Sequence, residues 1–384
     1  MARESFDFAI IGAGCFGAWT AHELLRAGHS VVLLDAYGAA HSRASSGGES
    51  RIIRMGYGAD ALYTRWSLES LTQWQALVER ARQSIFRRTG MLWLAGRQDS
   101  LVPQMLETFA GLDVAHEQLA PQELQRRFPQ ISPVDIEWAL WEPEAGVLMA
   151  RQAVQALVAD SVGTGLDYRI AHVPAPDSKQ RRLASITTSA GDSIAAGCFI
   201  FACGAWLTKI FPDFLGPRIF PTRQEVFFFS PPPGDTSFAP PAMPAWYHHP
   251  ACVYGIPDID NRGFKISVDK HGAAFDPDTG SRVPSLDGLE IARAYLAQRF
   301  PKLKGAPLSE SRVCQYENTS NGDFIIDRHP HIENAIIVGG GSGHGFKHGP
   351  AVGAYVRALL TSNAAAEPRF ALVSKDTTQA RSVF

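Results

Sequence analysis

Gly12-Ala-Gly14-Cys-Phe-Gly17 fits the pattern G-x-G-x-x-G. The first glycine permits a tight turn, the second lets backbone approach a pyrophosphate, and the third allows a helix to pack closely on a strand. The N–H groups that open the following helix suit phosphate oxygens. Asp35 lies 18 residues beyond Gly17, placed to accept hydrogen bonds from ribose hydroxyls. A carboxylate there disfavours a 2′-phosphate, and so NADP. The motif by itself does not separate FAD from NAD. Arg51 and Arg54 are three apart, and on a helical turn they would face the same way. Their neighbours Ile52, Ile53 and Met55 argue against full solvation. Arginine stays charged when desolvated and offers a planar fork to a carboxylate. Lys265, in Gly263-Phe-Lys-Ile, reads from alternation alone as a solvent-facing strand lysine. Lys347 follows a glycine-rich loop near a helix N-terminus, where a cation pointing to water is mildly unfavourable. His344 and His348 have a zinc-ligand spacing, but no further Cys, His or Glu presents itself, so no metal is expected.

The elements that must position these residues follow from periodicity. Phe6–Gly12 is a short apolar run that reads as a buried parallel strand. A helix to Gly28 and the strand Ser30–Leu34 complete a βαβ unit. Residues 60–82 carry Leu62, Trp66, Leu71, Trp74, Leu77 and Val78 at helical spacing. Helices are also expected at 151–162, 285–299 and 347–361, and strands near Thr89–Ala95, Tyr168–Val173, Leu183–Thr188, Cys198–Ala202 and Asn334–Gly340. From 220 to 275 the chain is strand-rich, with prolines and turn signals, which suggests a separate antiparallel sheet. The expected class is α/β. A Rossmann-like dinucleotide-binding domain, discontinuous over 1–86, 146–217 and 316–384, is joined to a substrate domain over 87–145 and 218–315 built on a mostly antiparallel sheet.

Bulk properties exclude other classes. With 384 residues and a net charge of −2, the chain shows no electrostatic footprint for nucleic acid or an anionic membrane. No apolar run approaches the roughly 20 residues that span a bilayer, and the first residues lead straight into a strand with no secretory pattern. The five cysteines (Cys15, Cys198, Cys203, Cys252, Cys314) are odd in number and widely spaced. That is a reduced, cytoplasmic pattern, not a disulfide framework.

Five segments together resemble the monomeric sarcosine oxidase family, within the D-amino-acid-oxidase-like flavoproteins. They are Ser45-Ser46-Gly-Gly-Glu-Ser-Arg51-Ile-Ile-Arg54; Phe201-Ala-Cys-Gly204-Ala-Trp206; Gly263-Phe-Lys265-Ile; Cys314-Gln-Tyr316 with Asp323-Phe-Ile-Ile-Asp327; and Gly339-Gly-Gly341-Ser-Gly343-His344-Gly345-Phe-Lys347. They occur in the family's order and spacing.

The resemblance implies FAD, held by Gly12, Gly14, Gly17, Asp35, Ser45, Ser46, Arg51, Val173, Gly204, Trp206, Gly341, Gly343, His344, Gly345 and Lys347, and tied covalently through Cys314. It implies that Arg54 and Lys347 bind a substrate carboxylate, that Arg51 lies over the flavin, and that Lys265 promotes reaction of reduced flavin with O₂. Tyr254 and Tyr316 are matched to tyrosines of the substrate pocket. Arg312 would help activate the Cys314 thiol. The implied activity is oxidation of a small secondary amino acid by a cytoplasmic monomer, with O₂ as acceptor and no nucleic-acid or membrane partner. Two departures bear on the substrate. Asp269 replaces a histidine found in relatives that prefer sarcosine, and can pair with a cationic amine. Ser45–Gly48 lacks paired histidines seen in some relatives. Proline, pipecolate, N-alkyl aromatic and glycated amino acids remain alternative substrates, dehydrogenase an alternative activity, and a non-catalytic FAD-binding subunit an alternative class.

Overall fold

The computed structural model describes residues 5–177, 179–362 and 364–380. Its first sheet runs, in spatial order, Ile325–Arg328, Ala335–Gly339, Ser193–Phe201, Ser5–Ile11, Val31–Asp35 and Asp167–Ile170. The inner pairings are parallel, while Ile325–Arg328 joins antiparallel at one edge and Ser185–Thr187 pairs antiparallel with Ser193–Phe201. The Ser5–Ile11 strand ends in the unbroken buried apolar run Phe8–Ile11, because both faces of this sheet are covered there, as parallel sheets require.

The helices Cys15–Arg26, Ala61–Ala81, Ala150–Gly163 and Gly349–Thr361 cover one face, and Val173, Leu183, Phe211 and Leu215 pack on the other. Trp19 and Trp74 meet edge to face at 5.0 Å, both fully buried. The last helix lies close on the first: a Cβ on Gly349 would come within 2.5 Å of the Trp19 ring, and one on Gly353 within 2.6 Å of the Trp19 carbonyl oxygen. This contact fixes where the preceding loop, and hence Lys347, is delivered.

The second sheet has eight strands, ordered Leu308–Thr319, Ile219–Phe229, Phe264–Val268, Val253–Ile256, Ala245–His248, Met91–Ala95, Trp138–Glu142 and Glu117–Leu119. All pairings are antiparallel except Ala245–His248 with Met91–Ala95. The helix Leu286–Arg299 covers one face, over Leu92, Phe227, Phe229, Trp246, Phe264 and Ile266. A period of two then turns Lys265 and Ser267 to the opposite face. That face is not open to water: Lys265 is 2% exposed, which overturns the solvent-facing reading that alternation alone suggested.

A three-stranded sheet of Arg51–Ile53, Gly146–Leu148 and Phe86–Arg87 joins the two large ones. The helical turn expected for Arg51–Arg54 is therefore wrong. The β-branched pair Ile52-Ile53 takes a strand against Val147 and Gly146, so the two arginines have different surroundings. No helix of the described residues is long and apolar enough to cross a membrane.

Candidate active site

The glycine turn closes as the motif requires. Gly12 has φ +106, and a Cβ there would lie 2.4 Å from the Ala202 carbonyl oxygen. A Cβ on Gly17 would lie 1.9 Å from the Gly12 oxygen. Gly14, by contrast, faces open space apart from Ser46 Oγ at 3.5 Å. The Gly14 N-cap gives the helix Cys15–Arg26 no side chain and its first turn carries no acid; the Cys15 N–H donates to Ser46 Oγ at 3.0 Å, and the end as a whole suits an anion. Asp35 accepts from the Ala13 N–H at 2.8 Å and from the Tyr37 and Gly38 N–H groups at 2.9 Å. These bonds orient the carboxylate at the strand end.

A cavity of about 440 Å³ begins at this turn. Gly12, Gly14, Asp35, Ser45, Ser46, Arg51, Val173, Gly204, Trp206, Cys314, Tyr316, Gly341, Gly343 and Gly345 all line it. Gly17, His344 and Lys347 do not: Gly17 serves the helix–strand contact, and the other two face Tyr57. An anion-ready helix end, a carboxylate for sugar hydroxyls and the reach to Cys314 fit the dinucleotide and ring of FAD.

At the Cys314 end, the Arg51 guanidinium donates to Ser50 O at 2.7 Å and Ser45 O at 2.6 Å, and approaches Cys314 Sγ at 3.4 Å. Burial alone would lower its pKa, but Cys314, Tyr254, Tyr316 and Glu49 outweigh that and raise it. Arg312 is engaged elsewhere, donating to Glu49 at 2.7 Å and to Ser42 O at 2.5 Å. The cation on the thiol is thus Arg51, a correction to the role given to Arg312. The Lys265 ammonium donates to Ser50 O at 3.0 Å. Burial, and then Arg51, pull its pKa down to about 7, against the opposing pull of Glu49. Tyr254 is half-buried beside this group, with its pKa raised by desolvation of the phenol and that rise opposed by Arg51.

A second pair of cations meets on one ring. Arg54 lies 4.6 Å and Lys347 5.0 Å from the centroid of Tyr57. Arg54 also lies 4.7 Å from the Trp93 ring and donates to Gly56 O; Lys347 donates to His344 O at 3.0 Å. Both are nearly sealed, 5% and 4% exposed. The Tyr57 hydroxyl bonds His344 Nδ1 at 3.0 Å and His348 Nε2 at 2.7 Å. Burial, with Lys347 next, holds His348 well below its usual pKa and therefore neutral. Asp269 accepts from Tyr316 at 2.8 Å and Tyr247 at 3.1 Å. Burial, and then Asp269, push both phenols up, so both stay protonated as donors.

Sequence reasoning missed several residues that hold this arrangement. Glu142 accepts from the N–H of Met55 at 2.7 Å and of Gly56 at 3.3 Å, and from Trp93 Nε1 at 2.6 Å, so it fixes the backbone just after Arg54. Glu49 faces Arg312 at 2.7 Å and Arg262 at 3.5 Å. Burial opposes its ionisation, but Arg312 and Lys265 prevail and lower its pKa. Tyr57 and Trp93 complete the Arg54 pocket. An acid at the end of the apolar strand Trp138–Glu142 was the one local signal available.

Residues 7–359 match the sequence profile of the DAO family, described as FAD dependent oxidoreductase. A monomeric sarcosine oxidase from Streptomyces avermitilis is 30% identical over 95% of this chain and 96% of its own. A human peroxisomal sarcosine oxidase is 30% identical over 91% of each. The chain belongs to the FAD-dependent oxidoreductase family that includes monomeric sarcosine oxidase. N-methyl-L-tryptophan oxidase from Salmonella, within the same range of relatives, is 28% identical over 91% of this chain and 92% of its own. Among solved structures, L-proline dehydrogenase from P. horikoshii superposes with a TM-score of 0.83 at 21% identity, covering 96% of this chain and 97% of its own, which shows the shared fold. As a member of this family, the protein is an FAD-dependent oxidase acting on C–N bonds.

Proposed function

We propose that the substrate is a small secondary amino acid, oxidised at the carbon next to nitrogen to an imine that water then hydrolyses to an aldehyde and an amine. The observation that carries this reading is the meeting of Arg54 and Lys347 on Tyr57. Two nearly buried cations on one ring make a site for a carboxylate, and holding that carboxylate fixes the pose of the C–N bond. FAD, when bound, supplies the two-electron acceptor, which O₂ reoxidises with release of H₂O₂. Arg51 borders the cofactor cavity beside Cys314 and keeps a positive charge there. Lys265 stands behind it with an ammonium poised to gain or lose its proton near neutral pH, suited to stabilising negative charge that develops on oxygen. Cys314, with a cation on its sulfur, is the proposed point of covalent attachment to the flavin. Asp269, Tyr316 and Tyr254 face the amine end, where the Asp269 carboxylate favours a substrate nitrogen that arrives protonated. The chain acts as a monomer in the cytoplasm.

The test is a panel of amines mixed anaerobically with purified protein while flavin absorbance is followed, then exposed to air while peroxide is measured. Sarcosine, N-methyltryptophan, proline and glycated amines belong on the panel, because relatives and structural neighbours carry such names, and pipecolate joins them as a second cyclic secondary amino acid. Bleaching by a secondary amino acid, with peroxide on aeration, is the expected result. Bleaching only by primary amines or by amines without a carboxylate overturns the substrate. Reoxidation by an artificial acceptor but not by O₂ makes the protein a dehydrogenase.

A further inference from the structure

Glu317 lies three residues beyond Cys314 on the strand Leu308–Thr319 and has been given no role so far. It is among the residues that line the cavity. Oε2 is sealed from solvent and has no hydrogen-bond partner among the described residues. Three glycines ring the carboxylate: a Cβ on Gly341 would lie 3.1 Å from Oε1, and Cβ atoms on Gly339 and Gly204 would lie 3.5 and 3.6 Å from Oε2. Burial pushes the carboxyl up to about 7, although the Gly341 and Gly340 N–H groups favour its ionised form. A carboxyl with an unmet oxygen is costly in such a place. It makes sense where a donor arrives with the cofactor.

Position selects the donor. Gly12, where the pyrophosphate belongs, packs on Ala202, and Gly204 beside Glu317 follows two residues later. Cys314 marks the ring end, about 10 Å along the strand at roughly 3.4 Å per residue. Glu317 therefore stands between the phosphates and the ring. A carboxylate repels phosphate and has no use for an apolar ring edge. The part of FAD between the two is a chain of hydroxyls.

We infer that Glu317 is a cofactor-anchoring residue that accepts hydrogen bonds from hydroxyls of the sugar-alcohol chain of FAD. The claim does not depend on which amine is oxidised. It is tested in the Cys314→Ala background, where flavin can be exchanged. Affinity is read from flavin fluorescence as holoprotein is diluted, for FAD and for analogues lacking one side-chain hydroxyl each. Glu317→Leu is expected to weaken FAD binding about 10- to 100-fold, the range for a hydrogen bond to a charged group. One deoxy analogue should bind the parent more weakly than FAD does, yet bind Glu317→Leu as well as FAD does. The inference is overturned if Glu317→Leu holds FAD as tightly as the parent, or if every analogue loses the same factor in both proteins. Should Glu317→Leu lack a cooperative melting transition, Glu317→Gln decides. It should shrink the discrimination between FAD and that analogue, since a neutral acceptor bonds less strongly; discrimination equal to the parent's overturns the inference.

Discussion

The guanidinium of Arg54 and the ammonium of Lys347 share the ring of Tyr57, at 4.6 and 5.0 Å from its centroid. They come from a strand end early in the chain and from the loop before the last helix, separated by nearly the whole sequence. Both buried charges are held by their surroundings: the Tyr57 and Trp93 rings, and carbonyl oxygens of Gly56 and His344.

Removing either cation should therefore act on binding. Arg54→Met or Lys347→Met is expected to raise KM for a carboxylate-bearing substrate about 10- to 100-fold, the scale of a charge-assisted hydrogen bond. The same substitutions should leave KM unchanged for the decarboxylated amine. Steady-state kinetics on the matched pair of substrates checks this.

Lys265 should separate the two halves of the reaction. Lys265→Met is expected to slow reoxidation by O₂ about 100- to 1,000-fold, the scale of a lost electrostatic stabiliser, while anaerobic bleaching changes less than about tenfold on the same scale. In the parent, reoxidation should slow as pH rises through about 7 and the ammonium is lost. Stopped-flow measurement of each half-reaction distinguishes this from general damage.

The same lysine has a stability signature. Its folded pKa, about 7, lies below the value of about 10.4 for a free lysine. Between these limits the unfolded chain binds a proton that the folded chain lacks, so stability rises with pH across that window. Below pH 7 the penalty is present in full. The gain in Tm from Lys265→Met should be largest near pH 6.5 and shrink toward pH 9.5, as read by thermal melts.

Glu142 should matter for folding and for substrate binding together. Glu142→Leu strands the buried N–H groups of Met55, Gly56 and Trp93, at about 1–3 kcal/mol for an unmet donor. A lower denaturation midpoint and a raised KM are expected. Glu142→Gln, which can still accept, should recover most of the midpoint.

Cys314→Ala should release yellow flavin into the supernatant on acid precipitation, while the unsubstituted protein keeps it in the pellet. Absorbance of the two fractions decides whether the thiol forms the bond.

What the sequence disclosed was what is local. Gly12 through Gly17 and Asp35 stand in one βαβ unit, so their order dictates their placement. The amphipathic run now seen as Ala61–Ala81 was visible because its period repeats over many turns. Arg51 and Arg54 misled, since two arginines three apart suit a helix, and only the distant Gly146–Leu148 strand shows that Arg51–Ile53 is extended and that Arg54 leaves its end. Lys265 misled in isolation for a related reason: alternation gives the period, and what covers the second face comes from elsewhere in the chain. Glu49 and Glu317 were illegible as site residues because an acid acquires meaning from the cations and glycines that fold against it.

One pairing in the eight-stranded sheet has a consequence for how the protein is made. Met91–Ala95 lies parallel to Ala245–His248, and the edge strand Leu308–Thr319 completes the same sheet. No ribosome-bound fragment shorter than that can assemble it. Met91–Ala95 can mate early with Trp138–Glu142 along one edge, but its other edge waits until residues 245–248 are made, so this half of the molecule carries the long-range pairing that slows folding.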